Sequence, residues 1–350
     1  MQAYVVLSAG FILSVLLVLV YNIKINKISM HESQLPEKGF LSKAHTETLR
    51  GIVTVGIVVS HFATNLKGLG PSGIENLFVR ACLPLGAMGV DCFLFFSGYG
   101  NAFSISKEKR KSIWLFRKCI SLLIVYLVCF ALQCGALLLY SYKTSLAVEF
   151  SNILRLNMPR TAAWYVKIQI ILYILLVFSE LIKHKIGKLL FIFSTCAATS
   201  IILLFTNHGE HWWMSNLCFA LGVGAAMYKS EIIEFVNHHL KAISAVCVLL
   251  FFPLYFITYM VDFFVVKIIG NTLIVIVIVF VVERLKIYNR QFSVIGKYSL
   301  PVYLIHSGLT GWVISQWGSN IHIALLPFVI IVASFLAKLF SDFILSIIKV

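Results

Sequence analysis

The sequence predicts an all-α, polytopic membrane protein of about eleven transmembrane helices. Two observations carry that expectation. Of 350 residues, 60% are hydrophobic and only 12% charged, and the mean hydropathy is +0.93. That is too little charge to clothe a soluble domain of this size. Apolar runs also repeat from end to end, and lipid admits only helices or closed barrels, because nothing else satisfies the backbone there.

The runs place spans at roughly 3–21, 49–66, 80–103, 117–140, 163–181, 187–206, 211–228, 241–260, 262–282, 299–317 and 323–347. Each approaches the ~20 apolar residues needed to cross a bilayer, although 211–228 is short and contains Gly222 and Gly224. The first run, Tyr4 to Tyr21, lacks a basic leader and a small-residue cleavage site, so a retained helix is expected. Residues 1–48 then form an extra span and a cytoplasmic linker, and 49–350 the membrane domain. Residues 141–162 form an external loop with enough polar groups to cover or line a pocket.

A formal charge of +15 would suggest nucleic acid in a soluble protein. Here topology explains it. Segments 22–50, 104–118, 182–188, 229–241, 283–298 and 348–350 hold 21 of the 29 lysines and arginines, and the opposite loops hold five. A one-sided bias of this kind places the amino terminus outside and the carboxyl terminus in the cytoplasm of a cell membrane. Membrane lipids are expected partners and nucleic acid is not; a homo-oligomer is left open. The eight cysteines form no CxxC pair and read as small apolar fillers. With no HExxH, GxSxG, Walker loop or cysteine–histidine spacing, no metal is expected.

Ionisable residues within hydrocarbon mark candidate sites, because an unpartnered buried charge costs several kcal/mol. Arg50 and His61 stand eleven residues apart. At ~100° and 1.5 Å per residue they share a helix face to within about 20°, about 16 Å apart along the axis. A neutral imidazole can take a proton from a hydroxyl and return it to a leaving group. In the third run, Gly89-Val90-Asp91 is followed by Ser97-Gly98-Tyr99-Gly100. Asp91 could pair with His61 and orient its ring, or pair with Arg80. The glycines allow close helix approach or an opening for a ligand. Arg117 and Lys118 end a basic cluster at the start of a span, where they anchor topology or reach phosphates. His306 lies seven residues beyond Ser299, on about the same helical face, with Pro301 in the first turn. Trp164-Tyr165 fits an interfacial anchor, and Lys167 and Gln169 are weaker candidates.

Two function classes survive this reading. One is an enzyme joining a cytoplasmic anionic donor to an external hydroxyl at an intramembrane histidine. The other is a secondary transporter with an ion-coupled site at His61, Asp91 and His306.

The order of motifs resembles that of membrane acyltransferase family 3, known for O-acetylating polysaccharides and other envelope glycans. Arg50…His61 stands where that family has its arginine and histidine, and Gly89-Val90-Asp91…Ser97-Gly98-Tyr99 resembles its GVD…SGF signature with tyrosine for phenylalanine. Arg117 resembles the arginine opening the next helix, and Trp164-Tyr165 an aromatic pair before a long apolar run. Ile295-Gly296-Lys297-Tyr298-Ser299-Leu300…Tyr303-Leu304-Ile305-His306 resembles the late LGxxS…YLxH motif. The resemblance covers roughly residues 45 to 347. It implies a ten-helix acyltransferase core preceded by one extra helix. It also implies acetyl-CoA or another acyl-CoA as donor, and an envelope glycan or lipid-linked saccharide as acceptor. His61 and Asp91 would be the catalytic residues and Arg50, Arg117 and Lys118 the donor-binding ones. Ser97, Tyr99, Trp164 and His306 would lie at the substrate site.

Overall fold

The computed structural model describes residues 41–67, 73–139, 162–285, 288–317 and 326–348, and every regular element among them is helical. In chain order the helices are α1 (Lys43–Lys67), α2 (Gly73–Cys82), α3 (Leu85–Lys107), α4 (Lys111–Leu139), α5 (Ala163–Ser179), α6 (Lys185–Phe205) and α7 (Glu210–Trp213). They continue with α8 (Asn216–Met227), α9 (Lys229–His238), α10 (Leu240–Met260), α11 (Phe264–Leu285), α12 (Arg290–Lys297), α13 (Ser299–Trp317) and α14 (Leu326–Ile348).

The expected count of eleven spans is corrected by this structure. Among the described residues, five helices are long and apolar enough to cross a membrane: Val79–Lys107, Lys111–Gly135, Lys185–Phe205, Phe264–Val281 and Ile330–Ile348. A sixth is reached only if α9 and the start of α10, bent by 94° at their junction, count as one span. An apolar run fixes composition but not helix continuity. The run 211–228 is broken into α7 and α8 by a turn at Met214–Ser215, and α5 has only 17 residues. Segment 49–66 threads Arg50, Thr54, Ser60 and His61 among its apolar residues. The expected span 3–21, most of the 22–48 linker and nearly all of the 141–162 loop lie outside the described residues.

Helix α3 organises the bundle. It is apolar on every side, the pattern of a helix that others surround, and twelve of its residues are buried. Helices α1, α8 and α11 pack along it, and Phe93 reaches Tyr165 of α5 and Tyr303 of α13. Large apolar side chains stay exposed on the outer helices, among them Phe116 of α4, Leu190 of α6, Ile269 of α11 and Phe343 of α14. An outer surface of this kind belongs against lipid.

Without a hydrophobic drive between helices in lipid, close packing needs small residues at the crossings. Two such crossings matter. At α3–α8, a Cβ on Gly98 would run into the Phe219 carbonyl, and one on Gly222 into the Phe95 carbonyl. At α1–α12, Gly51 faces the Phe292 backbone and Gly296 the Glu47 backbone in the same way. Backbone cannot swing aside as a side chain can. Gly222→Ala is therefore expected to cost about 1–3 kcal/mol through overpacking, read as a lower thermal midpoint of the protein in detergent. Gly100→Ala, where nothing lies within reach of a Cβ, is the control expected to leave the midpoint unchanged.

Candidate functional site

The α1–α12 crossing sets the position of Arg50, one residue before Gly51. Helix α12 is started by Asn289, whose side chain accepts from the backbone N–H of Gln291 (2.9 Å) and Phe292 (3.0 Å). Ser293 Oγ donates to Glu47 Oε2 at 3.0 Å and ties α12 to α1. Toward the carboxyl-terminal end of α1, Ser60 Oγ donates to the Leu83 carbonyl at 2.6 Å, fixing that flank against the α2–α3 turn. His61, about 100° further round, is thereby turned toward α13.

Arg50 opens into a cavity of about 340 Å³ between α1, α3, α4, α5 and α13, within the size range of ligand pockets. Lys118 lines the same space and reaches the face of Trp114, 5.8 Å from its ring centroid. Neither cation has a carboxylate within ion-pair distance among the described residues; nearby Glu47 serves Lys43 and Lys297 instead. Two cations facing a cavity, with no carboxylate in direct contact among the described residues, give it the charge to attract an anion.

The wall between them is a chain of hydrogen bonds. Asn101 Nδ2 donates to Ser97 Oγ (3.1 Å), Ser97 Oγ to Gln169 Oε1 (2.9 Å), and Gln169 Nε2 to the Tyr165 hydroxyl (2.9 Å). Tyr173 lies against Ser97 and Asn101 and also lines the cavity, as do Ser299 and Tyr303. Such a fully connected network holds its members in place at low dielectric.

Tyr303 leads from this cavity to the histidines. Its ring lies 5.1 Å from Tyr165 and 5.8 Å from His306, and His306 meets His61 edge-on with centroids 4.8 Å apart. His306 is 1% exposed, whereas His61 is exposed. His306 Nδ1 sits 2.9 Å from the Tyr303 carbonyl and 3.1 Å from that of Val302. Carbonyls only accept, so Nδ1 carries a proton and the neutral ring keeps its lone pair on Nε2. Gln133 of α4 holds this part of α13 by donating to the Leu304 (3.1 Å) and Ile305 (3.2 Å) carbonyls, and Gly308 leaves room for it. Beyond His61, His211 of α7 lies within electrostatic reach, with its ring 5.0 Å from Trp164.

The structure thus brings together Arg50, Lys118 and Ser97 around one cavity, and His61 with His306 beyond it. Four sequence candidates stand elsewhere. Asp91 is two residues past Gly89, which abuts Ile57 of α1, so its side chain is turned about 200° away from that helix. Its neighbours are Ser215, Cys92, Cys218 and Tyr259, not His61. The carboxyl and the Ser215 hydroxyl face each other without meeting hydrogen-bond geometry. Arg117 points away from the cavity and reaches Glu108 at 3.9 Å. Tyr99 is buried between Phe95 and Phe103, and Trp164 belongs to an aromatic group with Trp212 and His211.

Asn101, Tyr173, Gln133 and His211 are not among the residues singled out from sequence. Only His211, inside Glu210-His211-Trp212-Trp213, stands in a local pattern that could have signalled it. All eight cysteines are free thiols. Among the described residues, no three His, Cys, Asp or Glu side chains converge as a metal site.

The family profile for an acyltransferase domain matches residues 46–344, most of the chain. The chain belongs to acyltransferase family 3. The same comparisons find no matching curated protein and no matching solved structure. The match takes in both ends of the path just described, from Arg50 to His306. Acyltransferase membership also sets the cavity's two cations in context, since acyl donors such as acyl-CoA carry phosphates.

Proposed function

We propose that this acyltransferase moves an acyl group, acetyl in the first instance, from cytoplasmic acyl-CoA to a hydroxyl of a cell-envelope polysaccharide or lipid-linked saccharide. One observation carries the reading. Two cations, with no carboxylate in ion-pair contact among the described residues, line one end of a cavity whose other end leads, through Tyr303, to the His306–His61 pair.

The donor phosphates sit at Arg50 and Lys118, and the thioester arm runs along the Ser97–Gln169–Tyr165 wall toward Tyr303. The rise of about 16 Å along α1 between Arg50 and His61 suits an elongated arm. His61 Nε2 or Nδ1 accepts the acceptor hydroxyl's proton as its oxygen bonds to the thioester carbonyl carbon. The C–S bond breaks, an ester forms, and the CoA thiolate takes the proton from the imidazolium. His306, tethered to its own helix carbonyls, positions His61. The basic residues 107, 109–111, 117 and 118 beside the donor mouth favour a cytoplasmic location for it. The same bias favours an external amino terminus and a cytoplasmic carboxyl terminus.

The pairing of Lys118, and not Arg117, with the cavity gives a sharp contrast. Lys118→Ala is expected to weaken acyl-CoA binding about ten- to a hundredfold, the range for a charge-assisted contact. Arg117→Ala is expected to leave it within about twofold, as for an exposed ion pair. Equilibrium binding of labelled CoA to the two purified variants checks this.

Incubation of the purified protein in liposomes with radiolabelled acetyl-CoA and envelope glycans tests the function itself. The expected result is alkali-labile label on glycan, with one CoA thiol released per acetyl group. Gradient-driven flux without acetyl-CoA, and no label on glycan, would establish the transporter reading instead.

A further inference from the structure

A second cavity, of about 490 Å³, lies at the other end of the bundle. It sits where α1 and α10 end, where α3 and α11 begin, and beside α2 and α7. The first cavity, by contrast, touches the beginnings of α1, α4 and α13 and the far part of α3.

Its floor is unusual for the interior of a helical bundle. Asn271 and Thr258 are each 1% exposed, yet both amide atoms of Asn271 and the Thr258 hydroxyl lack hydrogen-bond partners among the described residues. The Tyr259 hydroxyl beside them is likewise unpartnered, and its ring lies 5.2 Å from that of Tyr255. Buried polar groups are ordinarily satisfied, so a set of orphans lining a cavity points to a ligand that supplies the missing partners. An amide side chain offers two donors and one acceptor, and each hydroxyl offers both. A partner that donates and accepts at adjacent positions, next to an aromatic face, has the chemistry of a sugar ring.

The rim sets the charge. Lys267 is ion-paired with Glu210 and with Asp262, whose carboxyl its hydrogen bond holds below the usual carboxylate range. One cation between two carboxylates leaves one negative charge in excess. Arg80, bonded to Asn76 at 3.2 Å, and Lys67 have no carboxylate partner among the described residues. Lys67 and Arg80 outweigh that excess, and the rim keeps one net positive charge.

We infer that this second cavity is a saccharide subsite that holds an acidic part of the acceptor glycan, one or more sugars away from the hydroxyl that reacts at His61. The proposal rests on the acyl-transfer reading for the ligand's role as acceptor. Lys67 on its rim is six residues beyond His61 on α1, about 9 Å along the axis, so one chain of sugars can occupy both places. Glu210 and His211, consecutive in α7, face the cavity and the His61 side respectively.

The test uses the full chain in phosphatidylcholine nanodiscs and a hyaluronan hexasaccharide as a defined acidic sugar. Saturable binding is expected, weakened at least tenfold by Asn271→Leu and by Arg80→Ala, with labelled CoA binding unchanged. Asn271→Leu is expected to keep its thermal midpoint, since the amide it removes has no partner to lose. Thr258→Val provides a second probe of the floor should Asn271→Leu not fold. Absence of saturable binding, or equal affinity in native and variant proteins, would overturn the subsite. So would phosphatidylglycerol in the nanodisc displacing the hexasaccharide, which would assign the cavity to lipid. Native protein that binds the sugar but transfers no acetyl group would remove the acyl-transfer reading and leave the subsite standing. Normal transfer with an unaltered acceptor KM in the variants would do the reverse.

Discussion

His61→Ala is expected to lower acyl transfer by about 10²–10⁴-fold, the contribution of a positioned acid–base group. CoA affinity is expected to stay within about twofold, because the cations proposed to hold the phosphates line the other end of the path. The expectation follows from how the two histidines differ. His306 is buried and tethered through Nδ1 to the Val302 and Tyr303 carbonyls, so it is fixed in place. His61 is the exposed partner, able to meet an acceptor. His306→Ala should therefore also reduce kcat while leaving the donor KM little changed, but it should retain more activity than His61→Ala. Full transfer by His61→Ala would remove the imidazole from the chemistry.

Arg50→Ala is expected to raise the Kd for acyl-CoA about ten- to a hundredfold, and Arg50→Lys to recover only part of that loss. A guanidinium presents a planar fork to phosphate, whereas an ammonium is a point charge. Arg50 also sits beside Gly51, where α12 packs backbone to backbone on α1, so its own backbone is held rigidly. The separation of roles is the informative part. Arg50→Ala should act mainly on donor binding and His61→Ala mainly on the chemical step. Titration of both variants with labelled CoA, alongside single-turnover transfer, checks it; unchanged CoA affinity in Arg50→Ala would take the arginine out of the donor site.

Helical periodicity made part of this site legible in the sequence. The eleven-residue spacing of Arg50 and His61, and the seven-residue spacing of Ser299 and His306, each lead from the cavity to the histidine pair. Periodicity applied to Asp91 would have separated it from His61, had the partner face of α3 been known; that face is marked by Gly89 against Ile57. Arg117 and Lys118 are neighbours on the chain and about 100° apart on the helix, and composition cannot choose between them. Tertiary packing chose Lys118.

What the sequence left hidden is non-local. Asn101 and Tyr173 acquire meaning only when α3 and α5 meet, and Asn271 and Thr258 only when α10 and α11 do. The span count failed for a related reason. Hydropathy sums residues along a run, whereas crossing a bilayer requires one unbroken helix of sufficient length. The break between α7 and α8 at Met214–Ser215 is made by tertiary contacts, with Ser200 Oγ donating to the Trp213 carbonyl at 2.7 Å. The polar pair Ser215-Asn216 marks the place in the sequence, but hydropathy averaged over the run passes across it.

Sealed membrane vesicles of opposite orientation test the central claim, that donor and acceptor enter from opposite ends of one path. Labelled acetyl-CoA is supplied to one face and glycan to the other. Transfer is expected only when acetyl-CoA has access to the face bearing Lys118 and the glycan to the opposite face, and His61→Ala should abolish it. Equal transfer with both substrates confined to a single face of intact vesicles would contradict the account.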